Sequence, residues 1–427
     1  MFKRNVEWCV SAALVVFANA CGSSSDKGSQ PSSGGSSAGA MAGGSTSAGD
    51  SGVSGAPTAG AAGSAVASGG SSANGGSANA GSANGGNAGM SALKDCTIPP
   101  DGSEPAAKLV DTGCVDASDP RKPSSRAVTY ELNSPLWSDS ADKQRAFILP
   151  AGKKIHVRNC TSTPADCPEG NADDGRWDFP IGTVMIKIFM FDGKLVETRL
   201  LIHTSTTSNS PSGDWVGYGY QWNAAQTEAT LVPSERVDVM FDTGKRVVPW
   251  HYPSRSDCMD CHTLQSGSTL GPETAQMNRV VSGMNQLDRF DALGLFESVP
   301  VKKTPLVAPS DETAPLEQRA RSYLHANCAF CHRPDGLYKR FDLRYDVTLK
   351  DSKACNVDGI KGTVGSSTSI NLLKPGSAND SLMWQRMNQA DPDNGRMPQI
   401  GTYAVDDAAQ MLVGKWIDQL PSTACDP

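Results

Sequence analysis

No stretch of this 427-residue chain is apolar over the ~20 residues that a membrane-crossing helix needs. The longest apolar run, Cys9 to Ala18, is about half that length, so no transmembrane helix is expected. Basic residues are scarce as well. Lys and Arg number 38 against 45 Asp and Glu, a net charge of −7, and the basic footprint that nucleic-acid binding requires is missing. No glycine-rich phosphate loop follows a strand-like run, and no Gly-x-Ser-x-Gly elbow stands in a strand-turn-helix context. Nucleotide-dependent and serine-hydrolase chemistries therefore have no foothold. Histidine is rare too, with 6 in all, and two of these share one context.

That context is Cys-x-x-Cys-His. It occurs as Cys258-Met-Asp-Cys261-His262 and again as Cys328-Ala-Phe-Cys331-His332. The spacing reads as covalent c-type haem attachment, so two covalently attached c-type haems, each with its iron, are expected. Two thiols on one turn reach a porphyrin's two vinyl groups, and the next imidazole falls under the iron. His262 and His332 are the expected proximal ligands. Four cysteines in two pairs also fit a zinc cage, and a single pair fits a redox disulfide. Neither alternative gives a reason for a histidine after each second cysteine.

Residues 1 to 20 have the layout of an export signal: Lys3 and Arg4, the apolar run, then Ala18-Asn19-Ala20. Cys21 follows directly and is the expected site of a lipid that would hold the protein at a membrane, in the periplasm or at the cell surface. Residues 21–92 are nearly all Gly, Ser and Ala with some Asn, too poor in apolar surface to repay ordering. They are expected to form a flexible tether with an end-to-end distance of roughly 45 Å. Setting aside Cys9, Cys21 and the motif cysteines, six remain, an even number suited to disulfides in an oxidising compartment. Proximity along the chain favours Cys96 with Cys114, Cys160 with Cys167, and Cys355 with Cys425.

The rest divides by pattern. Residues 93–246 read as an all-β domain, an antiparallel sandwich or barrel. Val184 to Phe191 alternates, Asp192-Gly193 supplies a tight turn, and Leu195 to Thr204 continues as a second strand. Tyr218, Tyr220 and Trp222 share one strand face, read as core packing rather than a ligand platform. His156 and His203 read as structural histidines, and the acid pair Asp173 and Asp174 as a polar turn. Residues 247–300 surround the first motif and are too few for a domain of their own, so this haem must lean on its neighbours. Met277 is the first-ranked sixth ligand there, ahead of His251 and Met284. Residues 301–427 read as mainly helical. Pro315 opens one helix that runs into the second motif, and Asp406-Asp407 opens a terminal one with an apolar face from Ala409 to Leu420.

Between those two helices stands Arg396-Met397-Pro398. Haem iron in an electron carrier suits a soft sixth ligand, and Met397 is placed to round the haem edge; Met383, Met387 and Met411 read instead as packing residues. Helix, Cys-Ala-Phe-Cys-His, the stretch Lys374-Pro375-Gly376-Ser377 to Ser381-Leu382-Met383-Trp384, then Met397-Pro398 and a last helix together resemble a class I cytochrome c domain across residues 313 to 421. The resemblance implies thioethers to Cys328 and Cys331 and axial ligation by His332 and Met397. Trp250-His251-Tyr252-Pro253-Ser254-Arg255 and Leu270 to Asn278, around the first motif, look like an uncharacterised group of exported bacterial dihaem proteins with a β-rich leading domain. The expected function is electron transfer to a redox partner protein. The alternative is an oxidoreductase whose β-domain binds substrate beside an open first haem.

Overall fold

The structure, a computed structural model, describes residues 95–426 apart from residues 100, 102, 159–174, 205–213, 335, 361, 365–369 and 392–393. The signal, the tether, the Cys160–Cys167 pairing and the acid pair at 173–174 lie outside these residues. All described residues fall in the unit Gly85–Pro427.

Six strands form one antiparallel sheet: β1 (Val128–Thr129), β2 (Asp142–Ile148), β5 (Val184–Phe191), β6 (Lys194–His203), β7 (Trp215–Trp222) and β8 (Ala229–Leu231), in that spatial order. β3 (His156–Val157) pairs with β4 (Trp177–Asp178), β9 (Val237–Asp242) with β10 (Val247–Tyr252), and β11 (Val280–Val281) with β12 (Met284–Asn285). The β5–β6 hairpin turns through Asp192 (φ 52°) and Gly193 (φ 83°), both left-handed, the geometry that a two-residue turn between right-twisted strands requires.

One face of the sheet buries Ile186, Ile188, Leu200, Tyr218, Tyr220 and Trp222 against the leading segment around Leu109 and Cys114. The aromatic stripe on β7 is therefore core, as its alternation suggests. The Cys96–Cys114 disulfide, with an S–S distance of 2.03 Å, ties that segment down. The opposite face carries two apolar patches. Phe147, Met185, Leu201 and Trp215 pack with Trp177 and Phe290, while Phe189 and Phe191 pack with Trp250 and Tyr252 of β10.

The antiparallel β-rich region is as expected, and among the described residues the sheet that faces it is only the two-stranded β9–β10 hairpin. Its covering layer is the β9–β10 hairpin with α1 (Arg255–Cys261), α2 (Thr274–Met277) and α3 (Gln286–Ala292). Near-continuous burial along β5 requires cover on both faces, and a strand pattern does not say whether helix or sheet supplies it. Residues 247–252, assigned by sequence to the first haem segment, are strand β10.

The C-terminal part packs α4 (Leu316–Asn327), α5 (Leu382–Met387) and α6 (Asp407–Gln419) around Tyr323, Leu324, Leu412, Trp416 and Ile417. Asp406 caps α6 by accepting from the Ala409 N–H at 3.1 Å. Gly414 leaves room for Trp384, whose indole nitrogen would lie 2.6 Å from a Cβ at that position. Cys355 and Cys425 form the second described disulfide. The helical part is hydrogen-bonded to the sheet part at several points. His325 Nε2 meets Glu273 Oε1 at 2.7 Å, the Trp137 N–H donates to Asn327 Oδ1 at 2.7 Å, and the Tyr403 N–H donates to Asp139 Oδ1 at 2.8 Å.

Candidate haem cavities

β10 delivers the chain directly into α1, whose start is fixed by a reciprocal cap between Ser254 and Asp257 at 3.0 Å each way. The helix lies on β7, and the close approach depends on Gly217, where a Cβ would come 2.8 Å from Cys258 Sγ. His262 stands at the helix end, and its Nδ1–H donates to the Ser268 carbonyl at 2.5 Å. That bond sets the tautomer and leaves the Nε2 lone pair free, the arrangement in which an imidazole ligates a metal.

Cys258, Cys261 and His262 open onto a cavity of about 140 Å³ with Met185, Lys187 and Arg199 of the sheet in its floor. Burial, then the charge of Lys187, pushes the His262 imidazolium down to about 3. Burial followed by Arg145 and Arg199 holds the Lys187 ammonium down at about 7.

The second motif follows α4. The His332 N–H donates to the Cys328 carbonyl at 2.9 Å, continuing the helical turn through the motif. The imidazole stacks on Phe341, with centroids 4.3 Å apart, and on Tyr338 at 5.3 Å. Its Nδ1 is buried without a partner among the described residues. Burial lowers the His332 pKa to about 4. Cys328 and His332 line a cavity of about 410 Å³ together with Met397, Met383, Met387 and apolar side chains that include Leu343, Leu372 and Leu382. A neutral imidazole, a thioether and a cysteine around one large apolar space form a donor set that fits an iron porphyrin.

The two cavities lie close together. Phe330, inside the second motif, lines the first cavity, and Pro398 does so while its neighbour Met397 lines the second. The thiols of Cys261 and Cys331 are close enough to act on each other electrostatically, and Asp260 acts on Cys331.

All four motif cysteines are free thiols, half-buried, and burial raises each of them, to about 11 for Cys258 and Cys331 and about 12 for Cys261 and Cys328. A redox Cys-x-x-Cys needs the opposite shift. Among the described residues no three His, Cys, Asp or Glu side chains converge as a metal-ligand group, so the four cysteines do not form a zinc cage.

Of the sequence candidates, the structure brings Cys328, His332 and Met397 to one cavity and Cys258, Cys261 and His262 to the other; Cys331 lines neither. It does not bring Met277 to the first cavity. Met277 is fully buried in α2 beneath the sheet, its sulfur 3.4 Å from the Gln286 amide nitrogen. Met284 and Met411 are exposed. His251 lines the first cavity, its Nδ1 on Asp238 Oδ1 at 2.9 Å and its Nε2 3.8 Å from Asp257 Oδ2. His203 is bonded to the Phe179 carbonyl at 2.7 Å, and His156 faces Glu297 at 3.1 Å. The floor residues Met185, Lys187 and Arg199 were missed, although a lysine within Val184 to Phe191 is a readable anomaly.

The chain matches no protein family, no curated protein and no solved structure. Among the described residues no helix is long and apolar enough to cross a membrane.

Proposed function

We propose that this chain is an exported dihaem cytochrome c, tethered through Cys21, that passes electrons between two covalently held haems and on to a redox partner protein in the periplasm or at the cell surface. The observation that carries this reading is the closeness of two cavities, each lined by residues of one Cys-x-x-Cys-His motif: Phe330 and Pro398 line the first, and their neighbours Cys328 and Met397 the second. Haem iron would supply one-electron exchange at each site.

The chain's own residues do the rest. Cys258 with Cys261, and Cys328 with Cys331, would hold the two haems through thioethers. The Ser268 carbonyl holds His262 in a ligating tautomer, and stacking on Phe341 fixes the plane of His332. Met397 lines the second cavity, together with Leu343, Leu372 and Leu382. A neutral sulfur donor in an apolar pocket favours the reduced state, so the second centre takes the higher potential. Its fold and motif order support a class I cytochrome c-type region in the C-terminal part.

A second reading has its own support. With Met277 committed to the core, the first cavity is without its first-ranked sixth ligand; His251 and Met185 line it, and a centre left open there would give the β-rich part an oxidoreductase role. Absorbance-monitored redox titration with and without carbon monoxide tests both. Two centres, the second at higher potential and blind to carbon monoxide, are expected; a second centre that titrates as a low-potential bis-histidine or five-coordinate haem contradicts the proposal. Carbon monoxide binding at the first centre favours the oxidoreductase role.

A further inference from the structure

A row of cations crosses the sheet beneath the first cavity, with Lys187 and Arg199 in the cavity floor. Arg145 of β2 stands directly opposite Lys187 of β5, and Lys187 directly opposite Arg199 of β6. Residues in direct register project from the same face, and like charges so placed repel. Lys143, two residues before Arg145, shares that face. The row lies between the two apolar patches of the sheet, under α1, where water gives little screening.

The acids nearby are already spent. Glu197 is fully buried and gives both oxygens to Arg199 at 2.8 Å, one of them also accepting from the Trp250 indole at 3.0 Å. Glu131 pairs with Arg279 at 3.0 Å. Asp139 accepts the N–H groups of Tyr403 and Ala404 at 2.8 and 2.9 Å. Lys143 finds only neutral oxygens, the Leu136 carbonyl and Ser138 Oγ. Among the described residues the side chains of Arg145 and Lys187 make no hydrogen bond and no ion pair. An enclosed cation without a partner is costly, and an anion placed against the row removes the cost.

We propose that this row is a carboxylate-binding site, in which Lys187, backed by Arg145 and beside the Arg199–Glu197 pair, takes up a planar carboxylate entering the first cavity. The Lys187 ammonium meets a carboxylate as a point charge, and the aromatic side chains of Tyr130, Trp137 and Phe330 around a narrow space suit a flat group. The carboxylate is supplied either by a propionate of the haem at the first motif, which rests on the reading above, or by a small free carboxylate, which does not.

The test uses the full matured chain, with acetate as the probe and chloride at matched ionic strength as the control. Thermal unfolding and redox titration are followed in the wild type, Lys187→Gln and Lys187→Arg. For a free carboxylate, acetate raises the unfolding temperature above chloride. Lys187→Gln then weakens half-saturation by at least about tenfold and Lys187→Arg preserves it. For a propionate, acetate does nothing specific, yet Lys187→Gln lowers the unfolding temperature and shifts one midpoint potential, whereas Lys187→Arg shifts neither. If Lys187→Gln leaves the protein as stable or more stable, with no acetate response in the wild type and unchanged potentials, the row is mere repulsion and the proposal falls. A pyridine haemochrome assay on the same samples separates the two claims: absence of haem overturns the cytochrome reading and leaves the acetate response to decide the site.

Discussion

The two motifs are nearly identical as sequence and are set in unlike surroundings. His262 ends a short helix pressed onto a β-sheet, its Nδ1 held by a carbonyl and its cavity floored by charge. His332 follows a longer helix within an α-helical core, is held by aromatic stacking, and faces three methionines. The same Cys-x-x-Cys-His pattern thus stands in two environments. What differs is the second half of each site, which the motif does not encode: three methionines among leucines with Lys339, Arg340, Lys353 and Arg386 for one, a sheet floor of Met185, Lys187 and Arg199 for the other. Axial donor and pocket polarity set what a haem does, so the two centres are expected to differ in potential and in access to ligands.

The largest effects come from removing the anchors. Cys328→Ala with Cys331→Ala should remove one haem from the polypeptide mass and abolish the higher-potential centre while leaving the other titrating, and the matching pair at Cys258 and Cys261 should do the reverse. If either pair removes both centres, the two cavities are not independent sites. Next comes the sixth ligand. Met397→Ala should lower one midpoint potential by on the order of 100 mV and make that centre reactive to carbon monoxide, with the other unmoved. A smaller effect, specific to the sheet side, follows from Gly217→Val, which puts a side chain where Cys258 Sγ lies; reduced haem occupancy at the first motif alone is expected, read by mass spectrometry of the digested protein. Replacing Cys355 and Cys425 by alanine opens a loop of sequence separation 70 in the helical part and should cost about 4 kcal/mol in chemical denaturation, with the first centre's spectrum retained. Smallest is Met277→Leu. It should change stability by less than about 1.5 kcal/mol and leave both potentials in place, whereas a shifted potential would restore Met277 as a ligand.

These contrasts also mark what was legible in the sequence. Local signals were strong where the physics is local: Asp192-Gly193 fixes its hairpin through two left-handed residues, and Asp406 caps the last helix through one side-chain bond. Met397 lines the His332 cavity as the motif order suggested, and residues between them such as Ala354, Leu373 and Met383 pack into the same core as α4 and α6. Met277 did not reach the His262 cavity. Fifteen residues of chain can round a haem edge, but spacing says nothing of which face of α2 is buried, and Thr274, Gln276 and Met277 all point into the core. The cation row is a matter of register between three strands, invisible until Arg145, Lys187 and Arg199 are aligned. Phe330 and Pro398 meet in the lining of one cavity, a tertiary arrangement across more than sixty residues of chain that no local pattern encodes.

The central claim is that two iron porphyrins are bonded through sulfur to Cys258, Cys261, Cys328 and Cys331. Intact-mass measurement of the chain, produced in a host able to mature c-type cytochromes and denatured to release anything held non-covalently, tests it directly. The account predicts a polypeptide heavier by two haems, whereas a mass equal to that of the bare chain would contradict it.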